Sequence, residues 1–257
     1  GDWSSDVCSS DLWLGKLILG TTDTPRADLP REPNAFDEEL AFILTEAGRV
    51  LSCPVQHDDI RSVWVGLRPL VAPPETAGGG TKTLSREHTI VVDADGLVTV
   101  TGGKWTTYRA MAEDVLARCF DAGLLPRRQG GLSEHHRLFG APGDGQPVTA
   151  LSVPPGLHVY GTEQAAVAAC PGHDRALGLG LTEGMVRYAV RHEHAHTVED
   201  VLARRWRALF LDARTAASMA PAVAEILTQE GETNPGEEAF IRLCGHYLPS
   251  GLAPSVW

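Results

Sequence analysis

The chain has 257 residues, enough for one large domain or two smaller ones, and its 43% hydrophobic and 21% charged content is that of an ordinary globular protein. A formal net charge of −11 excludes nucleic acid as a main partner. No apolar run approaches the roughly 20 residues that a membrane span needs. Five cysteines (Cys8, Cys53, Cys119, Cys170, Cys244) lie far apart without a Cys-x-x-Cys pair, which fits a reducing compartment better than a disulfide framework.

Residues 1–12 are set aside from fold reasoning. Residues 2–12 read DWSSDVCSSDL, lack any hydrophobic period or signal-peptide pattern, and match one reading frame of a common sequencing adapter. The expectation that follows is a C-terminal fragment whose natural sequence starts upstream.

From there the pattern predicts a strand at 13–22, a proline-bearing loop at 23–33, and a helix at 35–50 capped by Asn34 or Asp37. A strand is expected at 60–71 (IRSVWVGLRPLV), then a Pro/Gly-rich loop at 72–84. Residues 88–93 and 97–101 read as a hairpin around Ala94-Asp95-Gly96, and a helix runs from Thr106 to about Ala122. Residues 123–160 are rich in Gly, Pro and His. Beyond Thr162 nearly everything is helical: 162–170, 182–194, 197–211, 213–230 and 236–247, with Asn234-Pro235 breaking the last pair. The fold class is therefore α+β: a mixed-sheet part carrying a strand–Gly-Gly-Lys–helix unit (13–125), followed by an all-α C-terminal domain (126–257).

The stretch VTVTGGKWTTYR (98–109) carries the strongest chemical signal. A β-branched strand that ends in Gly102-Gly103 and feeds a helix gathers backbone N–H groups without intrahelical partners, a setting suited to a phosphate or another electron-rich group. Glycine lets the backbone approach such a ligand closely, and Lys104 adds a full positive charge at the positive end of the helix dipole. Arg68 lies in an apolar strand pattern, where a guanidinium must meet an anion, either a ligand or an internal carboxylate. Arg86, in SREH, is a second basic candidate. His192-Glu193-His194-Ala195-His196 matches His-Glu-x-x-His, the zinc-hydrolase pattern, but Thr197 followed by Val198-Glu199-Asp200 reads as a new helix cap that would separate the two outer histidines. Arg204, Arg205 and Arg207 read as a solvated, salt-bridged face.

Taken together, GTTDTP (20–25), SVWVGLRPLV (62–71), LSREHTIVV (84–92), GLVTVTGGKWTTYRAMAEDVL (96–116) and VRHEHAHTVEDVLARRWRALFLDA (190–213) resemble the FAD-dependent, quinone-linked glycerol-3-phosphate dehydrogenases. The resemblance runs from Trp13 to about Leu248 and does not include the family's G-x-G-x-x-G fingerprint. It implies oxidation of sn-glycerol 3-phosphate to dihydroxyacetone phosphate, with FAD as hydride acceptor and a membrane quinone as electron acceptor. On the matching positions, Gly102, Gly103, Lys104, Thr106 and Thr107 carry over as FAD contacts. Arg68 carries over as the substrate-phosphate ligand and, with Lys104, as a catalytic residue, and Arg86 as a further substrate ligand. No metal is implied. The resemblance also implies a cytoplasmic protein held peripherally at the inner face of the cell membrane; a homo-oligomer is left open. Trp206 departs from the small polar residue expected after the Arg pair. The alternatives are a glycerol-3-phosphate oxidase that uses O2, a zinc hydrolase built on His192, Glu193 and His196, and a non-catalytic helical module in 126–257. With the adenine and pyrophosphate site absent, the polypeptide alone is expected to bind FAD poorly and to be inactive.

Overall fold

The computed structural model describes residues 9–67, 88–128 and 130–249. They fall into two units, one drawn from Gly1–Val65 and Phe139–Trp257, the other from Gly66–Leu138.

The first unit begins with an antiparallel hairpin, β1 (Ser9–Trp13) and β2 (Lys16–Gly20), with Trp13 paired to Lys16. The expected single strand at 13–22 is thus the second arm and turn of a hairpin, because Leu14 and Gly15 both take left-handed backbone (φ 49° and 78°), the signature of a two-residue loop. The loop is tied down: the Leu14 and Gly15 N–H groups donate to the carbonyls of Leu151 (2.7 Å) and Ser152 (3.0 Å). Helix α1 (Asp37–Val50) follows. Its cap is neither Asn34 nor Asp37. Phe36 holds the N-cap position, and the Glu39 carboxylate turns back to accept its N–H at 3.0 Å.

Residues 60–67 contain no strand. Their β-rich composition instead makes an extended strap whose partners are helix ends: Val63 N–H donates to Tyr247 O (2.8 Å), Ala213 N–H to Arg61 O (3.0 Å), and the Ser62 hydroxyl to Leu209 O (2.8 Å). Residues 68–71 of the expected strand and the loop at 72–84 lie outside the described residues.

The rest of this unit is mostly helical: α3 (Gln164–Ala168), α4 (Glu183–Glu193), α5 (Ala208–Leu211), α6 (Ala213–Gln229) and α7 (Glu237–His246). Its core joins Leu181, Val186, Leu202, Leu209, Ile226, Leu227 and Phe240, all fully buried. On α6 the buried positions Ala213, Ala216, Ala217, Ala220, Val223, Ala224 and Leu227 follow helical spacing, and the small alanines let neighbouring elements approach closely. Asp212 caps this helix by accepting the Thr215 N–H at 2.9 Å.

Two expectations for this region are corrected. It is not all-α: β5 (Ala176–Gly178) pairs antiparallel with β6 (Leu181–Thr182), turning through Leu179 and Gly180 in left-handed backbone. Nor is 197–211 one helix. Residues Asp200–Arg205 form a wide π-turn, closed by Trp206 N–H donating to Val201 O at 2.8 Å, and Arg207 (φ 63°) breaks the path before α5. The Trp206 indole is buried and donates Nε1–H to Leu179 O at 2.9 Å, so this residue locks the π-turn onto the small hairpin.

The second unit packs the hairpin β3 (His88–Val92) and β4 (Val98–Gly102) with helix α2 (Tyr108–Asp121). Asp93 N–H donates to Leu97 O at 2.9 Å, and Gly96 (φ 88°) completes the expected turn. Met111, Val115 and Cys119 share one face of α2, which is its most buried side. The three hairpins are separate two-stranded antiparallel pairs, so among the described residues no mixed sheet is formed. Each hairpin finds its second layer in helices or loops, and none is extended by a parallel neighbour. The fold is α+β at this coarser level.

Candidate functional site

β4 ends at Gly102 (φ 77°), and Gly103 (φ 84°) continues in the left-handed region before Lys104 returns to extended backbone (φ −128°, ψ 145°). Two such residues in a row swing the chain from the strand into a short 3-10 turn, Trp105–Thr107, and then into α2. The carbonyl of Lys104 accepts from both the N–H (3.0 Å) and the hydroxyl (3.1 Å) of Thr107. Lys104, Thr106 and Thr107 are exposed. Trp105, 85% exposed, stacks on Tyr108 with ring centroids 5.4 Å apart. The site is thus an outward-facing bend with a cation, two threonines and a helix start on one short stretch. It suits an anionic or electron-rich ligand.

The inner side of the bend is filled. A Cβ on Gly103 would stand 2.5 Å from Met111 Sδ and 3.2 Å from His88 Cβ. His88 pairs with Gly102 in the strand register, and its Nε2 lies 2.9 Å from Asp114 Oδ2 on α2. These bracing residues are missed by motif reading. The signal for them is the i, i+3 spacing of Met111 and Asp114 together with a histidine opposite the last strand residue.

The structure brings Gly102, Gly103, Lys104, Thr106 and Thr107 together on this one bend. Arg68 and Arg86 lie outside the described residues.

The His-Glu-x-x-His pattern does not form a metal-binding helix face. Helix α4 stops at Glu193, and His194 takes left-handed backbone (φ 56°), so His192 and His196 leave the common face that i, i+4 spacing would give them. The His192 ring lies against Tyr188 at 4.7 Å, and His196 Nδ1 contacts Glu232 Oε1 at 2.8 Å. The cap read at Thr197 is present: Asp200 Oδ2 accepts from the N–H (3.0 Å) and hydroxyl (2.8 Å) of Thr197, whose Oγ1 accepts the Asp200 N–H at 3.1 Å. Of the arginine cluster, Arg204 pairs with Glu199 and Asp200, and the Arg207 guanidinium lies 6.0 Å from the Trp13 ring.

The helical unit has its own charged centre. Arg187 donates Nε–H to Glu183 (2.9 Å) and Nη1–H to Glu230 (2.6 Å), Arg191 donates twice to Glu230 (2.7 Å each), and Arg175 donates to Glu183 (2.8 Å). Glu183 is 8% exposed, and hydrogen bonds from Arg187 and Arg175 hold its carboxyl below the usual range. Glu230 is held low in the same way by Arg191 and Arg187. Because every oxygen has a guanidinium partner, this network joins α4 to the end of α6 and is architectural.

Comparison with known proteins points in one direction. The C-terminal domain of alpha-glycerophosphate oxidase matches residues 155–236, the stretch that holds α3 to α6. The mitochondrial glycerol-3-phosphate dehydrogenase of Arabidopsis thaliana is 33% identical over 247 residues, which cover 85% of this chain and 39% of the plant protein. The mitochondrial glycerol-3-phosphate dehydrogenases of Bos taurus and Homo sapiens are 34% and 33% identical over 246 residues, again 85% of this chain and 32% of each relative. The chain therefore spans between about a third and two fifths of the length of these relatives. Both comparisons bear out the resemblance read from the sequence, which is to the FAD-dependent glycerol-3-phosphate dehydrogenases.

Proposed function

We propose that this chain supplies the flavin-facing bend and the helical domain of an enzyme that oxidises sn-glycerol 3-phosphate to dihydroxyacetone phosphate. The observation that supports this most is the bend Gly102–Gly103–Lys104: two left-handed glycines present an exposed lysine beside the start of α2, inside the block that the relatives share. The fit to a flavin is chemical. A reduced isoalloxazine gathers negative charge on one edge, and a cation beside backbone N–H groups lowers the energy of that charge. Bound FAD would supply the hydride acceptor for the C2–H of the substrate alcohol. Lys104 would hold its charge at the flavin edge, Gly102 and Gly103 would admit the ring close to the backbone, and Thr106 and Thr107 would offer hydroxyl contacts. Arg68 and Arg86 remain the proposed ligands of the substrate phosphate, for which a guanidinium fork is geometrically matched.

In this reading residues 13–125 continue the cofactor and substrate domain, and 126–257 form the helical domain. A membrane quinone takes the electrons onward, with the protein attached peripherally; among the described residues no helix is long and apolar enough to cross a membrane. A second reading, electron transfer to O2, is favoured by the oxidase named in the match to 155–236. Peroxide yield against quinone reduction, measured in a polypeptide that carries the whole flavin site, separates the two.

The test on this chain is a flavin titration. The purified chain is expected to emerge colourless and without dehydrogenase activity, yet to quench FAD fluorescence weakly and saturably, with the quench lost in Lys104→Ala. A chain that shows no saturable quench overturns the assignment of the bend.

A further inference from the structure

We propose that His88 is a positioning residue, setting the geometry of the Gly102–Lys104 bend through Asp114. The proposal rests on the flavin reading above and adds a residue to it. Two consecutive glycines have more backbone freedom than any other pair, so a bend built on them presents a ligand with a defined set of N–H groups only when something else fixes it. A lone two-stranded hairpin is marginal in water and gives little rigidity by itself.

His88 is placed to provide what is missing. It is the first residue of β3 and sits opposite Gly102, the last residue of β4. Its Cβ lines the space beside Gly103, and Met111 fills the remainder. Its ring then reaches across to α2, where Nε2 lies 2.9 Å from Asp114 Oδ2. Met111 and Asp114 are three residues apart and lie on one helical face. The same face of α2 therefore both fills the inside of the bend and anchors the strand that runs alongside it. The bend is held on three sides: by the hairpin ladder, by Met111, and by the His88–Asp114 bridge. Removing the bridge leaves the ladder and the sulfur contact but frees the strand end to slide along α2.

A purely structural role would lower stability without selecting the bend, and the experiment separates the two. Amide hydrogen exchange is followed in the full chain for the wild type and for His88→Ala, Asp114→Ala, His88→Gln and Val115→Ala; the last removes packing on the same helix one turn beyond Met111. The expected result is that His88→Ala and Asp114→Ala speed exchange at Gly103 to Thr106 about tenfold, while Val115→Ala, matched for loss of Tm, does not. His88→Gln, which keeps an N–H at the reach of Nε2, restores slow exchange and guards against simple unfolding. Unchanged exchange in His88→Ala, or equal acceleration in Val115→Ala, overturns the proposal. FAD titration of the same proteins provides the second readout, with binding about tenfold weaker in His88→Ala than in Val115→Ala. If FAD binds wild type and His88→Ala alike, the positioning role falls and the flavin reading stands. If the wild type binds no FAD but exchange behaves as expected, the flavin reading falls and the brace stands.

Discussion

The backbone N–H of Val63 donates to the carbonyl of Tyr247 at 2.8 Å, joining the strap at 60–67 to the end of α7 across 184 positions of sequence. The strap is reinforced by an aromatic ladder: Trp64 meets Phe210 edge-on at 5.4 Å, and Phe210 meets Tyr247 at 5.6 Å. Phe210→Ala empties the middle of that ladder. Its expected cost is about 2 kcal/mol, below the range for a fully buried phenylalanine because Phe210 is half-buried. Urea unfolding measures it, and a midpoint equal to wild type would show that the ladder contributes nothing.

Glu230 accepts from two arginines on α4, and truncating it leaves Arg187 with a reduced set of partners in a mostly enclosed site. Glu230→Ala is expected to cost about 3 kcal/mol. The pH dependence follows from the same contacts. Glu183 and Glu230 have folded-state values below the ordinary 4.5, so the stability they contribute is present above that value and is lost as pH falls through the folded value. Denaturation followed below pH 5 should show a steep loss that is shallower in Glu230→Ala. Equal slopes would count against the network as the source.

His196 behaves in the opposite sense. Its bond to Glu232 raises its value above the ordinary 6.5, so the contribution is present below 6.5 and fades as pH rises through the folded value. The Cε1 proton of His196, followed by NMR, should titrate above the free-histidine value and return toward it in Glu232→Gln. Identical titration in the two proteins would dismiss the contact.

Gly103→Ala places a Cβ against Met111 and imposes a side chain on left-handed backbone. A loss of about 2 kcal/mol is expected, together with loss of FAD quenching. Gly66→Ala, with no described residue close to its Cβ position, serves as a control and should be close to neutral. A stable Gly103→Ala chain would mean that the bend relaxes easily.

Much of this architecture can be read from the residues. The spacing on α1, α2, α4, α6 and α7, the Asp95-Gly96 turn and the Thr197–Asp200 cap all have local causes, and local causes leave local patterns. The failures have non-local ones. IRSVWVG has strand composition, but its hydrogen bonds go to helix ends more than 140 positions away, so nothing nearby reveals that no strand among the described residues pairs with it. The run from Asp200 to Leu211 is made of good helix formers, and its break at Arg207 carries no glycine or proline to mark it. The proposed flavin contacts could be named because they form one contiguous motif. His88 and Asp114 could not, since their relation exists only once β3 is laid against α2.

The π-turn at Asp200–Arg205 has a consequence for lineage and engineering alike. A loop closed over five residues holds one more residue than an ordinary helical turn. Deleting a single position there would restore ordinary helical closure and rotate the Trp206 indole away from Leu179. The domain would gain regularity and lose the latch between its π-turn and its smallest hairpin, so the surplus residue is what brings the indole into register with that hairpin.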